Sequence, residues 1–271
     1  MDKLFFSSQS RTDLAVELNE TVDKDDTAYS GVKVREQTDG ITGIKITELT
    51  ITNNEGERLF NKEQGTYITI EASECGMGDS DYDACLTGIV TGQLRNVIEP
   101  FIVNNRSILV IGLGNRDITA DSLGPQTVEG LLVNRHIVTC NSADCRLSSL
   151  VPGVMAQTGM ETSQIVKGIV ATSKPGVVIV IDALAARNIE HLNKTFQISD
   201  RGINPGSGVG NYRSGITDKT IGVPVIAVGV PTVIEMNNMF VTPKDVDIAV
   251  KSNAHILSEA INDMVYSYET Y

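Results

Sequence analysis

SILVIGLGNRDITADSLGP (107–125) and GVVIVIDALAAR (176–187) decide the fold. Each opens on an unbroken run of Ile, Leu and Val, the pattern of a strand covered on both faces, as in a parallel sheet between helix layers. VPVIAVGVPTV (223–233) is a third run of the same kind. The first two lead into small-residue turns that carry an aspartate, Asp121 in one and Asp182 in the other. A parallel sheet lines up the C-terminal ends of its strands along one edge, so both carboxylates are placed to converge in a single crevice. Two facing carboxyls share a proton, which leaves one to activate water and the other to act as acid. Asp121 and Asp182 are therefore the candidate catalytic pair.

Helical patterns surround these strands. DYDACLTGIVTGQLRNVI (81–98) suits a helix, and GPQTVEGLLVNRHIV (124–138) reads as an amphipathic one with Pro125 near its first turn. METSQIVKGIVATSK (160–174) has apolar residues at helical spacing and Thr162 or Ser163 as its cap. The tail KDVDIAVKSNAHILSEAINDMVYSY (244–268) ends in a helix whose apolar face carries Ile256, Leu257, Ala260, Ile261, Met264 and Val265. Toward the N-terminus, ITGIKITELTITN (41–53) and GTYITIEA (65–72) alternate as strands do, and are expected to pair as a hairpin across residues 53–64. Residues 1–20 read as a leader and 21–40 as a polar segment, with Asp23, Asp25 and Asp26 around Lys24. The predicted fold is α/β, a mostly parallel twisted sheet between helix layers, with an added β region over 41–72.

Composition narrows the function. A chain of 271 residues with 41% hydrophobic and 21% charged residues can bury one substantial core. No apolar run reaches membrane-span length, and MDKLFFSSQSRTD lacks the build of a secretory signal, so a cytoplasmic protein without a membrane partner is expected. The net charge of −12, with no cluster of Lys and Arg, argues against nucleic acid as a partner. Cys75, Cys85, Cys140 and Cys145 form no CxxC pair, so reduced, mostly buried thiols are expected and a zinc site is not. In IGLGNRD the third glycine of a dinucleotide fingerprint is replaced by Asp117, whose charge opposes a pyrophosphate; no cofactor is expected. NPGSGVGN (204–211) is a second glycine-rich loop, able to wall the crevice and to offer backbone N–H groups to a substrate carbonyl.

Several of these stretches together resemble a known family. GLGNRDITADSLGP (112–125), LLVNRHI (131–137), VPGVMAQTGMETSQIVKGIV (151–170), VIDALAARNIEHLNKTFQISDRGINPGSGVG (180–210) and GVPVIAVGVPTV (222–233) closely resemble the germination proteases (spore proteases) of endospore-forming bacteria. RTDLAVE (11–17) and VTPKDVD (241–247) are outlying pieces of the same match. The resemblance implies a hydrogenase-maturation-protease-like fold and an endopeptidase that degrades small acid-soluble spore proteins at germination, in the forespore and spore core, as a homotetramer. It implies that Asp121 and Asp182 are catalytic. A metal-assisted variant stays open, because the hydrogenase-maturation relatives bind metal at the related place, and so does a homologue that only binds spore proteins.

The family is made as a zymogen. Here the implied cut falls between Asp13 and Leu14, inside Thr12-Asp13-Leu14-Ala15-Val16-Glu17, which makes residues 1–13 a propeptide and 14–271 a single protease domain. Acidic residues beside a scissile bond call for cationic partners, and Arg116, Arg187, Arg201 and Arg213 lie near the motif loops. Gly114, Asn115, Arg187, Gly206, Ser207 and Gly208 are the candidate substrate-contacting residues. Two features depart from the family: the segment Ile234 to Phe240 is short, and the N-terminal β region matches only loosely.

Overall fold

The computed structural model describes residues 12–21, 31–73, 78–138, 144–206, 214–236 and 239–268. From the N-terminus, α1 (Ala15–Thr21) precedes two antiparallel strands, β1 (Val32–Thr38) and β2 (Lys45–Ile51). The short α2 (Asn54–Phe60) leads into β3 (Gly65–Glu71), and α3 (Ser80–Ile102) follows. The open α/β half then begins with β4 (Ser107–Gly112), α4 (Leu123–Glu129), β5 (Arg146–Leu150), α5 (Met155–Thr158), α6 (Thr162–Ser173) and β6 (Val177–Ala186). It closes with β7 (Thr195–Ser199), α7 (Asp218–Ile221), β8 (Val225–Met236), β9 (Met239–Val241) and α8 (Val246–Tyr266).

The strands form one sheet in the order β1-β2-β3-β7-β8-β6-β4-β5, with β9 folded back on β8. β8, β6, β4 and β5 run parallel. The strands from β1 to β7 add an antiparallel extension, so the N-terminal β region continues the same sheet.

Residue parity along the central strands separates two cores. Ile108, Val110, Val177, Ile179 and Ile181 pack with α3 and α8, while Leu109, Ile111, Val178 and Val180 pack with Val166 and Val170 of α6. Both sets are essentially solvent-free, as strands sandwiched between helix layers must be. The even-numbered residues of β6 thus face α6, and Asp182 continues that series.

Several expectations are corrected. The helix expected over 124–138 covers only Leu123–Glu129: Gly130 ends it, packed so closely on Ser258 of α8 that a side chain would meet the Ser258 Cβ at 2.8 Å. The cap of α6 is Glu161, with Thr162 and Ser163 already helical. The polar segment expected over 21–40 contains β1, whose VKVREQT is largely exposed and owes its strand form to seven partners on β2. β2 and β3 pair as expected, though α2 occupies their connection. Of the cysteines, Cys145 is buried but Cys85 is exposed, against the expectation of mostly buried thiols; Cys75 and Cys140 lie outside the described residues. Among the described residues no helix is long and apolar enough to cross a membrane.

Candidate active site

The crevice begins where β4 stops. Its last pair with β6 is Gly112 with Ile181, and the Leu113 N–H still donates to the Ile181 carbonyl at 2.8 Å. The chain then turns sharply at Gly114 (φ 109°), where any side chain would run into the carbonyl of Asp121. Only glycine takes this conformation without strain. Gly124 is equally constrained, since a side chain there would meet the Leu113 nitrogen at 2.6 Å and the Ile181 carbonyl at 2.7 Å. The first turn of α4 therefore lies directly on the strand ends.

Asp121 closes a 3-10 turn, Thr119–Asp121, between β4 and α4. Its carboxylate accepts the Asn115 N–H at 2.8 Å, which folds the Gly114–Asn115 loop onto it. The cap position of α4 is Ser122 rather than Asp121. Thr232 of β8 donates to the Ala120 carbonyl at 2.6 Å, which pins the turn to the sheet.

Asp182 does not end its strand. β6 runs on to Ala186 with a bulge at Leu184/Ala185, because β8 keeps pairing beside it. Asp182 nonetheless stands one residue past the last partner on β4 and is 8% exposed, in register with Gly229 of β8. Its Oδ1 accepts the Ala183 N–H at 3.0 Å. Asp121 and Asp182 thus belong to neighbouring elements at one edge of the sheet.

The Thr12–Glu17 segment is seated on that edge. The Asp13 N–H donates to the Ala185 carbonyl and the Ala185 N–H to the Asp13 carboxylate, both at 2.9 Å, so Asp13 is held to β6 beyond the end of β4. Leu14 is fully buried against Leu184, Ala186, Leu192 and Ile234, worth about 2 kcal/mol. Glu17 is also fully buried, its carboxylate accepting from the Arg187 and Asn188 N–H groups at 2.7–3.0 Å.

The candidate substrate-contacting residues divide. Gly114 and Asn115 form the turn against Asp121, and the Asn115 Oδ1 accepts from Asp117 N–H at 3.0 Å and Gln157 Nε2 at 3.2 Å. Arg187 does not face an open cleft: its guanidinium donates to the Glu17 carbonyl at 2.6 Å. Gly206 sits in a turn at φ 75°, whereas Ser207 and Gly208 lie outside the described residues, as does Arg213. Arg116 pairs with Glu129 and Arg201 with Asp200. Among the described residues no group of three or more His, Cys, Asp or Glu could hold a metal ion.

Two residues escaped the sequence reading. Lys62 Nζ and Gln197 Nε2 both donate to the Asp13 carbonyl at 2.9 Å. Burial pushes the Lys62 ammonium below the usual lysine range, with Asp13 opposing the shift. Gln197 falls in a plain alternation of polar Thr195, Gln197 and Ser199 with apolar Phe196 and Ile198 along β7, which gives no signal of a site. Lys62, in a turn after α2, had none either.

An open sheet with two carboxylates at its strand-end edge, and with a stretch of its own chain laid on that edge, defines an α/β protein whose ligand crevice is the one such sheets provide. A family model described as germination protease matches residues 9–239, and the chain belongs to that family. It is similar to the germination proteases of Bacillus pumilus (43% identity over 84% of this chain and 64% of that one) and Bacillus velezensis (44% over 83% and 63%). The chain thus spans a little under two thirds of the length of these Bacillus relatives. The germination protease of Caldanaerobacter subterraneus is 37% identical over 93% of both chains. Among solved structures, the [NiFe] hydrogenase maturation protease HycI from Thermococcus kodakarensis aligns with 64% of this chain and 98% of its own, at TM-score 0.40 and 19% identity.

Proposed function

We propose that this chain is an endopeptidase that starts the breakdown of small acid-soluble spore proteins at germination. It is made as a zymogen, with residues 1–13 as propeptide and 14–271 as a single protease domain, and it cuts itself between Asp13 and Leu14. The carrying observation is the seat of that bond: in a member of the germination protease family, the Asp13 N–H and carboxylate are bonded to Ala185 of β6, three residues past Asp182. In this reading one of Asp121 and Asp182 removes a proton from water as it attacks the carbonyl carbon, and the other protonates the departing amine. A pair of this kind titrates as a unit, so the roles are not divided further. Gly114 and Asn115 shape the crevice. The working protein is a homotetramer of the spore core and binds neither nucleic acid nor membrane.

The test is incubation of the processed protein with purified small acid-soluble spore proteins, followed by peptide mapping. A few discrete cuts, beside acidic residues followed by apolar ones and absent with Asp182→Asn, are expected. Stable binding of the same proteins with no cut would replace the enzyme by a spore-protein-binding homologue.

A further inference from the structure

Lys62 and Gln197 are 135 residues apart in sequence (197 − 62), yet both donate to one atom, the Asp13 carbonyl oxygen. The Gln197 side chain also turns its Oε1 to the Ala15 N–H at 2.6 Å, so a single amide clasps the peptide on both sides of Leu14. Ala185 fixes the Asp13 N–H and carboxylate from the strand side. The carbonyl that these groups orient belongs to the bond assigned above as the site of self-cleavage.

The sheet register relates this clasp to Asp182. Gln197 pairs with Gly229, and Gly229 with Asp182, so the three make one row across β7, β8 and β6. Partners in a row project from the same face. Parity agrees, because Phe196 and Ile198 enter the core beneath α3 and α8, leaving Gln197 on the opposite face, where Asp182 also stands. Two strand spacings separate Gln197 from Asp182, about 10 Å between their Cα atoms. The middle position is a glycine, and the space above it is taken by Leu184, which packs with Leu14.

We propose that Lys62 and Gln197 are the carbonyl-binding groups for cleavage of the Asp13–Leu14 bond. The proposal rests on the self-cleavage reading above. Water oxygen bonds to the Asp13 carbonyl carbon, and the C=O electron pair moves onto the oxygen that the ammonium and the amide already hold. The pair returns as the C–N bond breaks and the Leu14 nitrogen takes a proton, leaving an Asp13 carboxylate and a free Leu14 amine from one water. Donors fixed in advance on an oxygen that becomes negative stabilise the transition state more than the starting amide. Lys62 is partly buried, with its Nζ 5.3 Å from the Tyr67 ring centroid, and a cation withdrawn from water acts more strongly on a neighbouring oxygen.

Asp-Leu occurs once in the sequence, so protein labelled with carbonyl-13C aspartate and 15N leucine gives a single Asp13–Leu14 correlation in an HNCO spectrum. Lys62→Met and Gln197→Leu should each move that 13C resonance upfield and slow self-processing roughly 100-fold. Lys62→Arg should restore much of both, with thermal unfolding confirming that all variants fold. If the wild type is processed but Lys62→Met keeps the wild-type resonance, or is processed as fast or faster, this proposal alone is overturned. A wild-type chain that is never cut, under conditions where it is folded, removes the self-cleavage reading and this proposal with it.

Discussion

Glu17 is a completely buried carboxylate held by backbone N–H groups of Arg187 and Asn188, immediately after β6. Removing the acceptor leaves those donors unpaired, at about 1–3 kcal/mol. Glu17→Ala should therefore lower the thermal midpoint by roughly 2–4 °C for each kcal/mol lost in a chain of this size. It should also expose the α1 segment to limited proteolysis. An unchanged midpoint and an uncut segment would mean that Glu17 does not anchor α1. Asp121 and Asp182 were legible as residues because each sits beside an apolar run long enough to be read as a buried strand. The burial of Glu17 was not, because a carboxylate in an acidic leader looks solvated until the N–H groups 170 and 171 positions away come to meet it. Lys62 and Gln197 were hidden for the same reason: their meaning lies in convergence on a distant carbonyl, which spacing along the chain does not encode.

The elements read best from sequence were those whose burial is written locally. The cores of β4, β6 and β8 and the long α3 and α8 all follow apolar runs or apolar periodicity. Elements set by pairing were missed. β1 is largely exposed, β5 is the polar RLSSL, and β7 is only five residues long. β6 extends to Ala186 because β8 continues alongside it, a fact of register that no local pattern carries. Two glycines show how the same change has opposite outcomes in different elements. Gly114→Ala puts a methyl into the Asp121 carbonyl at φ 109° and should cost roughly 1–3 kcal/mol, with loss of self-processing as the Asp121 turn is displaced. Gly88→Ala, in the middle of α3 with nothing within 4 Å, should instead stabilise by about 1 kcal/mol and leave processing alone. Denaturant midpoints and processing rates of the two variants check both signs, and a stabilised, active Gly114→Ala would refute the crowding at the turn.

At the scale of the whole molecule, the sheet brings together two sets of residues that the sequence presents as separate segments. Its parallel strands carry Asp121 and Asp182 to one edge, and its antiparallel extension brings Lys62 and Gln197 to the same edge from the other side. The Thr12–Glu17 segment lies between these contributions, buried from Leu14 to Glu17 and bonded to β6 at Ala185. The central claim is that this segment is the chain's own substrate and that the two aspartates cut it. Intact-mass analysis of the purified protein over a time course of incubation, beside Asp121→Asn and Asp182→Asn, tests that claim most directly. The account predicts loss of residues 1–13 from the wild type alone, leaving a chain that starts at Leu14. Equal cutting of all three proteins, or a new end elsewhere than Leu14, would contradict it.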